Sequence, residues 1–458
     1  MSILENGKSE SATVTLRLLD FDKEITNWSS YTTSSNFTQP CDRFSFKISA
    51  EDTELYKDML IPGSSVQICV NDHPQCTGYI EERDIKYSRG SGTNISIAGR
   101  DILCRMVNGN VPPGPILKTG MTVGDLISNV MAPFGFKTLY NTQDTNLNVM
   151  TGYPSNKSLT TRTFQAQISS YKQDGNGNGI KGSDGKFTSE NKQVTITEIV
   201  SNLKPGLTKL NLTQCRASES EGAYEYVRKL ISREGLILKA ASDGSGLMVI
   251  SPDYDSNIGH KLICRKDDPS QNNVIEGSGN INFMEQPSVA IAFGFGTGLD
   301  KEKAALVAIM VNEITGLDDN GEILPEINNL LTSYKHGILL PLRPDLIPKK
   351  RSMTIKNAFC PIYFKDADSK NIAQLSRFLT RKMASHQMKS STLKYTVDGH
   401  ICAANDLPWM VNTMVNVDDD ILDVHEEMWV LERTFRKTRG VGTFTDLTLI
   451  KPHTLLLE

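Results

Sequence analysis

No stretch of this 458-residue sequence reaches the roughly 18 consecutive apolar residues that a membrane-crossing helix requires, and its first residues, MSILENGKSES, lack a basic or apolar leader region. The expected place of synthesis and residence is therefore a cytoplasm. Charge of one sign is missing too: 49 basic side chains face 53 acidic ones, a net charge of -4, so no nucleic-acid coat or basic membrane surface is expected. Eight cysteines, Cys41, Cys69, Cys76, Cys104, Cys215, Cys264, Cys360 and Cys402, stand singly with no C-x-x-C pair, which fits reduced, buried thiols better than disulfides or zinc. The seven histidines show no H-x-x-x-H spacing and there is no G-x-S-x-G, so zinc-protease and serine-hydrolase templates fail. Gly294-Phe295-Gly296-Thr297-Gly298 has glycines in phosphate-loop style but lacks the Lys-Ser/Thr pair that would hold a phosphate and its metal, so a glycine hinge or bulge is the better account. No nucleophile, base and orienting group assemble, and the protein is expected not to be an enzyme.

What the sequence does contain is a repeat. Sliding it by 350 positions sets Tyr79–Ile97 on Trp429–Leu447 and pairs Glu82 with Glu432, Arg83 with Arg433, Arg89 with Arg439, Gly90 with Gly440, Gly92 with Gly442 and Thr93 with Thr443. Those are six identities in fifteen positions, where chance gives about one. Each copy reads strand, turn, strand: alternating side chains, an R-G-x-G-T turn whose glycines can take positive φ, then alternation again. A further alternating run precedes each copy, Val66–Asp72 in one and Met414–Asp419 in the other, so three strands are repeated. Arg83 and Arg433 are expected to pair with Glu or pack along a strand. The apolar hairpin faces should pack inward, leaving Glu81, Arg83, Arg433 and Lys437 open to partners.

The expected fold class is mainly β with α+β modules: two related small β-barrels plus inserted α/β domains. The first barrel is placed at residues 12–107, with strands at Thr13–Leu18 and Phe44–Ser49 and a short helix at Glu51–Met59. An α/β module follows at 108–255, with helices at Thr122–Met131 and Ser220–Ile231, a hairpin of Leu236–Leu238 and Leu247–Ile250, and an Asn/Gly-rich insertion at about 141–205 containing a strand at Gln193–Ile196. The second barrel is assigned 256–295 and 393–458, beginning at the apolar run Ser288–Gly296, whose glycines argue against a central strand. A helical and connector insertion fills 296–392, with helices at Lys301–Glu313, Glu326–Tyr334 and Lys370–Met388 and an extended stretch at Pro341–Pro348.

One metal site is suggested. Asp174-Gly175-Asn176-Gly177-Asn178-Gly179 matches the opening of a calcium loop, with oxygen donors at alternating positions and glycine at the sixth. The twelfth position is Gly185 where a bidentate Glu belongs, so Asp184 would have to serve instead. Calcium held by Asp174, Asn176, Asn178 and Asp184 stands beside the plainer reading of an Asn-Gly loop. Asp418-Asp419-Asp420 reads as a solvated turn at a strand end before it reads as a metal cluster.

Several motifs in order carry a resemblance. G-x-x-V-x-I-x-V-N-D (Gly63 to Asp72), T-G-Y-I (Thr77 to Ile80) and I-x-I-x-G-R-D (Ile95 to Asp101) resemble the opening of baseplate hub proteins of contractile-tailed phages, the Mu-like hub and late control D family. The stretch Glu221 to Ile250 resembles the family's middle. T-V-D-G (Thr396 to Gly399), L-P-W (Leu407 to Trp409), W-V-L-E-R (Trp429 to Arg433) and G-T-F-T-D-L-T-L (Gly442 to Leu449) resemble its close. The resemblance implies two tail-tube-like barrels per chain and a homotrimer presenting six of them. Its partners would be a central spike, the tail tube and other baseplate proteins, and its location a virion baseplate or contractile particle. A calcium-dependent receptor- or carbohydrate-binding β-protein, and a cell-wall hydrolase, are the alternatives.

Overall fold

A computed structural model describes residues 12–48, 56–89, 92–111, 123–141, 162–171, 189–198, 217, 220–232, 236–255, 257–281, 286–294, 306–312, 315–317, 322–333, 338–340, 359–366, 369, 372–438, 440–452 and 454. The first seven strands are β1 (Val14–Leu18), β2 (Lys23–Ile25), β3 (Trp28–Asn36), β4 (Arg43–Ile48), β5 (Ser65–Val70), β6 (His73–Ser88) and β7 (Gly92–Asp101). In β4 the alternation of Phe44, Phe46 and Ile48 with Arg43, Ser45 and Lys47 becomes a buried and an exposed face. The β5–β6 turn has Asn71 and Asp72 at φ 44° and 65°, two adjacent positive values of the kind that the right-handed strand twist selects in a two-residue hairpin.

A small α/β module follows, made of α1 (Cys104–Asn108), α2 (Val123–Met131), β8 (Leu139–Asn141), α3 (Ala223–Ile231), β11 (Ile237–Ala240) and β12 (Leu247–Ile250). Between its halves, β9 (Arg162–Tyr171) and β10 (Ser189–Glu198) form an antiparallel pair. The α/β module has its own core, in which Leu126, Val130, Val227, Ile231 and Leu247 are fully buried.

The chain then returns to the large sheet with β13 (Asn257–Cys264) and β14 (Val274–Ile281) and leaves it again. The excursion contains β15 (Val289–Gly294), β16 (Leu306–Val311), α4 (Pro325–Ser333), β17 (Ile338–Leu339), β18 (Pro361–Asp366) and α5 (Ile372–Ser390). The large sheet is completed by β19 (Ser391–Asp398), β22 (Met414–Asp419), β23 (Val424–Thr438) and β24 (Gly442–Ile450), with β20 (Ile401–Cys402) and β21 (Leu407–Pro408) forming a two-residue pair.

Two expectations fail in the excursion. The helix expected at Lys301–Glu313 is strand β16 from Leu306 onward, and the apolar run from Ser288 is a central strand, β15, between β16 and β18. Side-chain parity explains both. Ala290, Ala292, Ala308 and Met310 pack on Leu375, Leu379 and Met383 of α5, while Val289, Ile291, Ile309 and Val311 pack against Ile327 of α4. A strand buried on both faces is apolar throughout, and such a run carries no period that separates it from a buried helix.

The fold is mainly β, and its dominant element is one 13-stranded sheet with the order β14-β19-β24-β23-β3-β4-β7-β6-β5-β1-β2, while β22 and β13 continue from β23. Both copies of the repeat lie in this single sheet, and among the described residues no ladder closes either half into a barrel. The repeat is far closer in geometry than in sequence. Ser88 pairs with Gly92 and Thr438 with Gly442, Arg83 with Ile97 and Arg433 with Leu447, Tyr79 with Arg100 and Trp429 with Ile450. Every pair is related by the same 350 positions. Both ladders break at the same place, between Ile80 and Glu82 in one and Val430 and Glu432 in the other. A bulge adds one residue and re-aims the strand, so its recurrence is a shared design feature of the two hairpins. The turn glycines Gly440 and Gly442 have φ 77° and 130°, as the R-G-x-G-T reading requires.

Candidate functional site

The functional features gather where the two halves of the sheet meet. On one edge of β23 the upstream residues Val424–Trp429 pair with β22, and the downstream residues Glu432–Lys437 pair antiparallel with β3, from Glu432 opposite Asn36 to Lys437 opposite Tyr31. This seam is sealed from both sides by aromatic packing. Phe37 meets Trp429 edge-on at 5.0 Å between ring centres, Trp28 and Tyr31 pack on Phe46, and the His400 ring lies 4.5 Å from Phe435.

Beneath the seam runs a buried hydrogen-bond chain. The Thr445 hydroxyl donates to the Gly399 carbonyl at 2.5 Å, so its oxygen accepts from Nδ1 of His400 at 3.1 Å; that tautomer leaves Nε2 to accept from the Tyr31 hydroxyl at 2.7 Å. Burial, and after it the positive charge of Arg433, lowers the His400 pKa to about 3, and burial pushes the Tyr31 hydroxyl up. His260, against Trp409 and bonded through Nδ1 to Asn405, is likewise lowered by burial to about 4. Both imidazoles are therefore neutral near pH 7, held as structural members of the core.

Arg433 corrects an expectation. It is 4% exposed, lies 4.0 Å over the Phe435 ring, and donates to Gln75 Oε1 at 2.5 Å and to the Trp409 carbonyl at 3.2 Å, so it is not open to a partner. Its counterpart Arg83 donates to the carbonyls of Lys57 and Leu60, and Glu81 pairs with Arg100 at 2.6 Å. Packing along a strand is thus the role of Arg433, as the alternative reading of the two arginines expected.

A third group ties the α/β module to the seam. Lys239 of β11, 7% exposed, sends its ammonium to the carbonyls of Asn36 and Gln39 and to Asp42 Oδ1, at 3.1, 3.0 and 3.1 Å. Asp101 lies behind, 3% exposed, accepting from the Asp42 and Leu103 amides; burial, then the nearby Asp42 charge, raises its pKa. Nothing in composition or spacing marked Lys239, because an Ile-Leu-Lys-Ala strand normally turns its Lys to water. Between these groups lies a cavity of about 140 Å³ lined by Gln75, Asp101, Lys239, Met410 and Arg433 among others. That is well below the roughly 300–1,000 Å³ of an ordinary ligand pocket.

The proposed calcium ligands Asp174, Asn176, Asn178 and Asp184 lie outside the described residues, as do Gly296 and Gly298 of the glycine-rich loop and the Pro341–Pro348 stretch. Within the Asp418–Asp420 triplet the structure separates roles. Asp419 is 2% exposed and accepts from the Ile421 and Leu422 amides and the Tyr395 hydroxyl, making it the cap of the β22–β23 turn. Asp418 and Asp420 come together with His425, but Asp418 is already paired with Arg265 at 2.7 Å, so the cluster reads as surface ion pairing. Of the cysteines, Cys41, Cys69, Cys76, Cys104 and Cys402 are buried free thiols, Cys264 is half-buried and Cys360 exposed. No described helix is long and apolar enough to cross a membrane.

Residues 16–101 match the family model described as the N-terminal part of Mu phage baseplate assembly protein GpP-like. No curated protein sequence matches the chain. The fold as a whole is similar to solved structures of tail proteins. With the tail protein from Neisseria meningitidis MC58 the TM-score is 0.61 at 19% identity, over 98% of each chain. With the 43 kDa tail protein of prophage MuSo2 from Shewanella oneidensis it is 0.61 at 15% identity, over 97% of this chain and 99% of that one. At such identities the likeness is one of fold, and the fold is one that tail proteins use.

Proposed function

We propose that this chain is a structural, non-catalytic baseplate hub of a contractile tail or injection system, acting as a homotrimer that adapts a six-fold tail tube to a three-fold central spike. The observation that carries this reading is the duplication: one chain holds two hairpins with the same register and the same bulge in one sheet, with β3 and β4 between them. Three such chains offer six nearly equivalent sheet units toward one partner while keeping three-fold symmetry toward the other, which is the requirement of a symmetry adaptor. The baseplate family model over residues 16–101 and the tail-protein fold support placing it in a tail. Its partners are then the spike, the tube and other baseplate proteins, and its location the baseplate of a virion or contractile particle assembled in a host cytoplasm. The test is the mass of the purified protein by light scattering, with negative-stain class averages of the same peak. Particles of three chains with six similar lobes are expected; a chain that stays single at all concentrations, with and without a spike protein, overturns the proposal.

A further inference from the structure

The duplication leaves half a seam unused at each of two places. In β23 one edge is occupied along its whole length, by β22 and then by β3, whereas in β6 only the upstream residues His73–Tyr79 have a strand, β5, on that edge. Residues 82–87, the counterparts of Glu432–Lys437, have none among the described residues. The other half of the seam is duplicated as well. Strand β14 stands to β19 as β3 stands to β4: Tyr31 opposite Phe46 corresponds to Gly277 opposite Tyr395, and the ladders slip alike between Trp28 and Ser30 and between Val274 and Glu276. Yet β3 goes on to pair with β23, while β14 ends the sheet.

We infer that β14 of one chain pairs with residues 82–87 of β6 in a second copy, in the register of the internal seam. Shifting that register by the two repeat offsets sets Arg83 opposite Ile281, Asp84 opposite Asn280, Ile85 opposite Gly279, Lys86 opposite Ser278 and Tyr87 opposite Gly277 of the neighbouring copy. Exposure supports the assignment. Phe435, buried by the internal seam, is 1% exposed; its counterpart Ile85 is 42% exposed, and Tyr87 on the same strand and Ile275 on β14 are 85% and 56% exposed. Size supports it too. In the internal seam Tyr31 of β3 packs on Phe46, whereas β14 has Gly277, against whose bare Cα Tyr395 lies. Tyr87 stands opposite Gly277 in this register, so the large residue of the pair comes from β6 and the small one from β14. An aromatic ring set across from a strand glycine is a recognised means of pinning register. Open strand edges are costly and prone to wrong pairing, and a matched copy covers both at once.

The pairing rests on the hub reading for the number three but not for the seam itself, because the edges and their register belong to the chain. A Cys360→Ser background removes the thiol that is exposed among the described residues. In it, Lys86→Cys and Ser278→Cys are placed in one chain and bridged with a short bis-methanethiosulfonate reagent, alongside the two single-cysteine chains alone and mixed, with light scattering on every sample. The expected result is covalent species that grow to three chains and stop, dimers only from the mixture, and none from either single variant. Ladders past three support the seam and sink the trimer. Three-chain particles without bridging sink the seam and leave the hub standing. Single chains throughout, with no bridging, overturn both.

Discussion

The Tyr31 hydroxyl lies 2.7 Å from Nε2 of His400, so residues 369 positions apart in the sequence share one hydrogen bond beneath the seam that joins the two sheet halves. The bond needs an unprotonated Nε2, which burial ensures by lowering the His400 pKa to about 3.

Acid sensitivity follows from this. In the unfolded chain His260 and His400 titrate near 6.5, in the folded one at about 4 and about 3. Below pH 6.5 the unfolded state therefore binds more protons, and stability falls as pH falls toward the folded values. At pH 5 each histidine costs about 2 kcal/mol relative to pH 7.5. Asp101, whose pKa is raised in the folded state, acts in the opposite direction but equally in both proteins, so urea unfolding is expected to show the parent losing about 2 kcal/mol more over this range than His400→Gln, which keeps polar contacts but cannot titrate there. An equal loss in the variant would assign the acid sensitivity to other groups.

The two arginines of the repeat differ in consequence. Arg433→Ala takes donors from Gln75 and the Trp409 carbonyl and removes the cation over Phe435, a loss of about 2–4 kcal/mol. Arg83→Ala removes bonds to two carbonyls near the surface and is expected to cost about 1 kcal/mol or less. Denaturant midpoints of the two variants check this; equal costs would mean that the second hairpin does not bury its arginine as described.

The same contrast holds for Phe435 and Ile85. Phe435→Ala opens a cavity under a sealed seam and should cost about 3–5 kcal/mol in the isolated chain. Ile85→Ala should cost little there, because 42% of the side chain's surface is already in water. A large loss on Ile85→Ala in a strictly single-chain sample would place that residue in the core.

The repeat was legible because its strands alternate and its turn needs glycine: both signals are local, and the structure returns them in register. The β15 and β16 strands were not legible, since burial on both faces erases the alternation that marks a strand, and Leu306–Val311 then passes for one side of a helix. Arg433 misled for a related reason. Equivalent residues of a repeat share backbone geometry, but their environment depends on what packs around them, and only the second hairpin has β3 paired on its edge and Gln75 and the Trp409 carbonyl around its arginine. Lys239 gave no signal because its partners, the carbonyls of Asn36 and Gln39 and the Asp42 carboxylate, come from the end of β3 and the connection to β4, 197 to 203 residues earlier.

Lys239 therefore yields the sharpest test of how the α/β module is held. Replacing it by Met leaves two carboxyls, half-buried Asp42 and buried Asp101, without their cation and takes one donor from each of the Asn36 and Gln39 carbonyls. Breaking a buried pair from one side costs about 3–5 kcal/mol while the carboxylates stay charged. Loss of the ammonium, which holds the Asp101 pKa down, raises it further in the folded state, so the folded variant binds more protons than its unfolded chain over the interval between the two. Its stability then rises as pH falls through that interval, opposite in sign to the histidine effect. The difference between parent and Lys239→Met cancels the histidines, which both proteins keep. That difference should be large at pH 8 and shrink toward pH 5. A difference independent of pH would mean that Lys239 acts through packing of its stem and its bonds to carbonyls, with no electrostatic share.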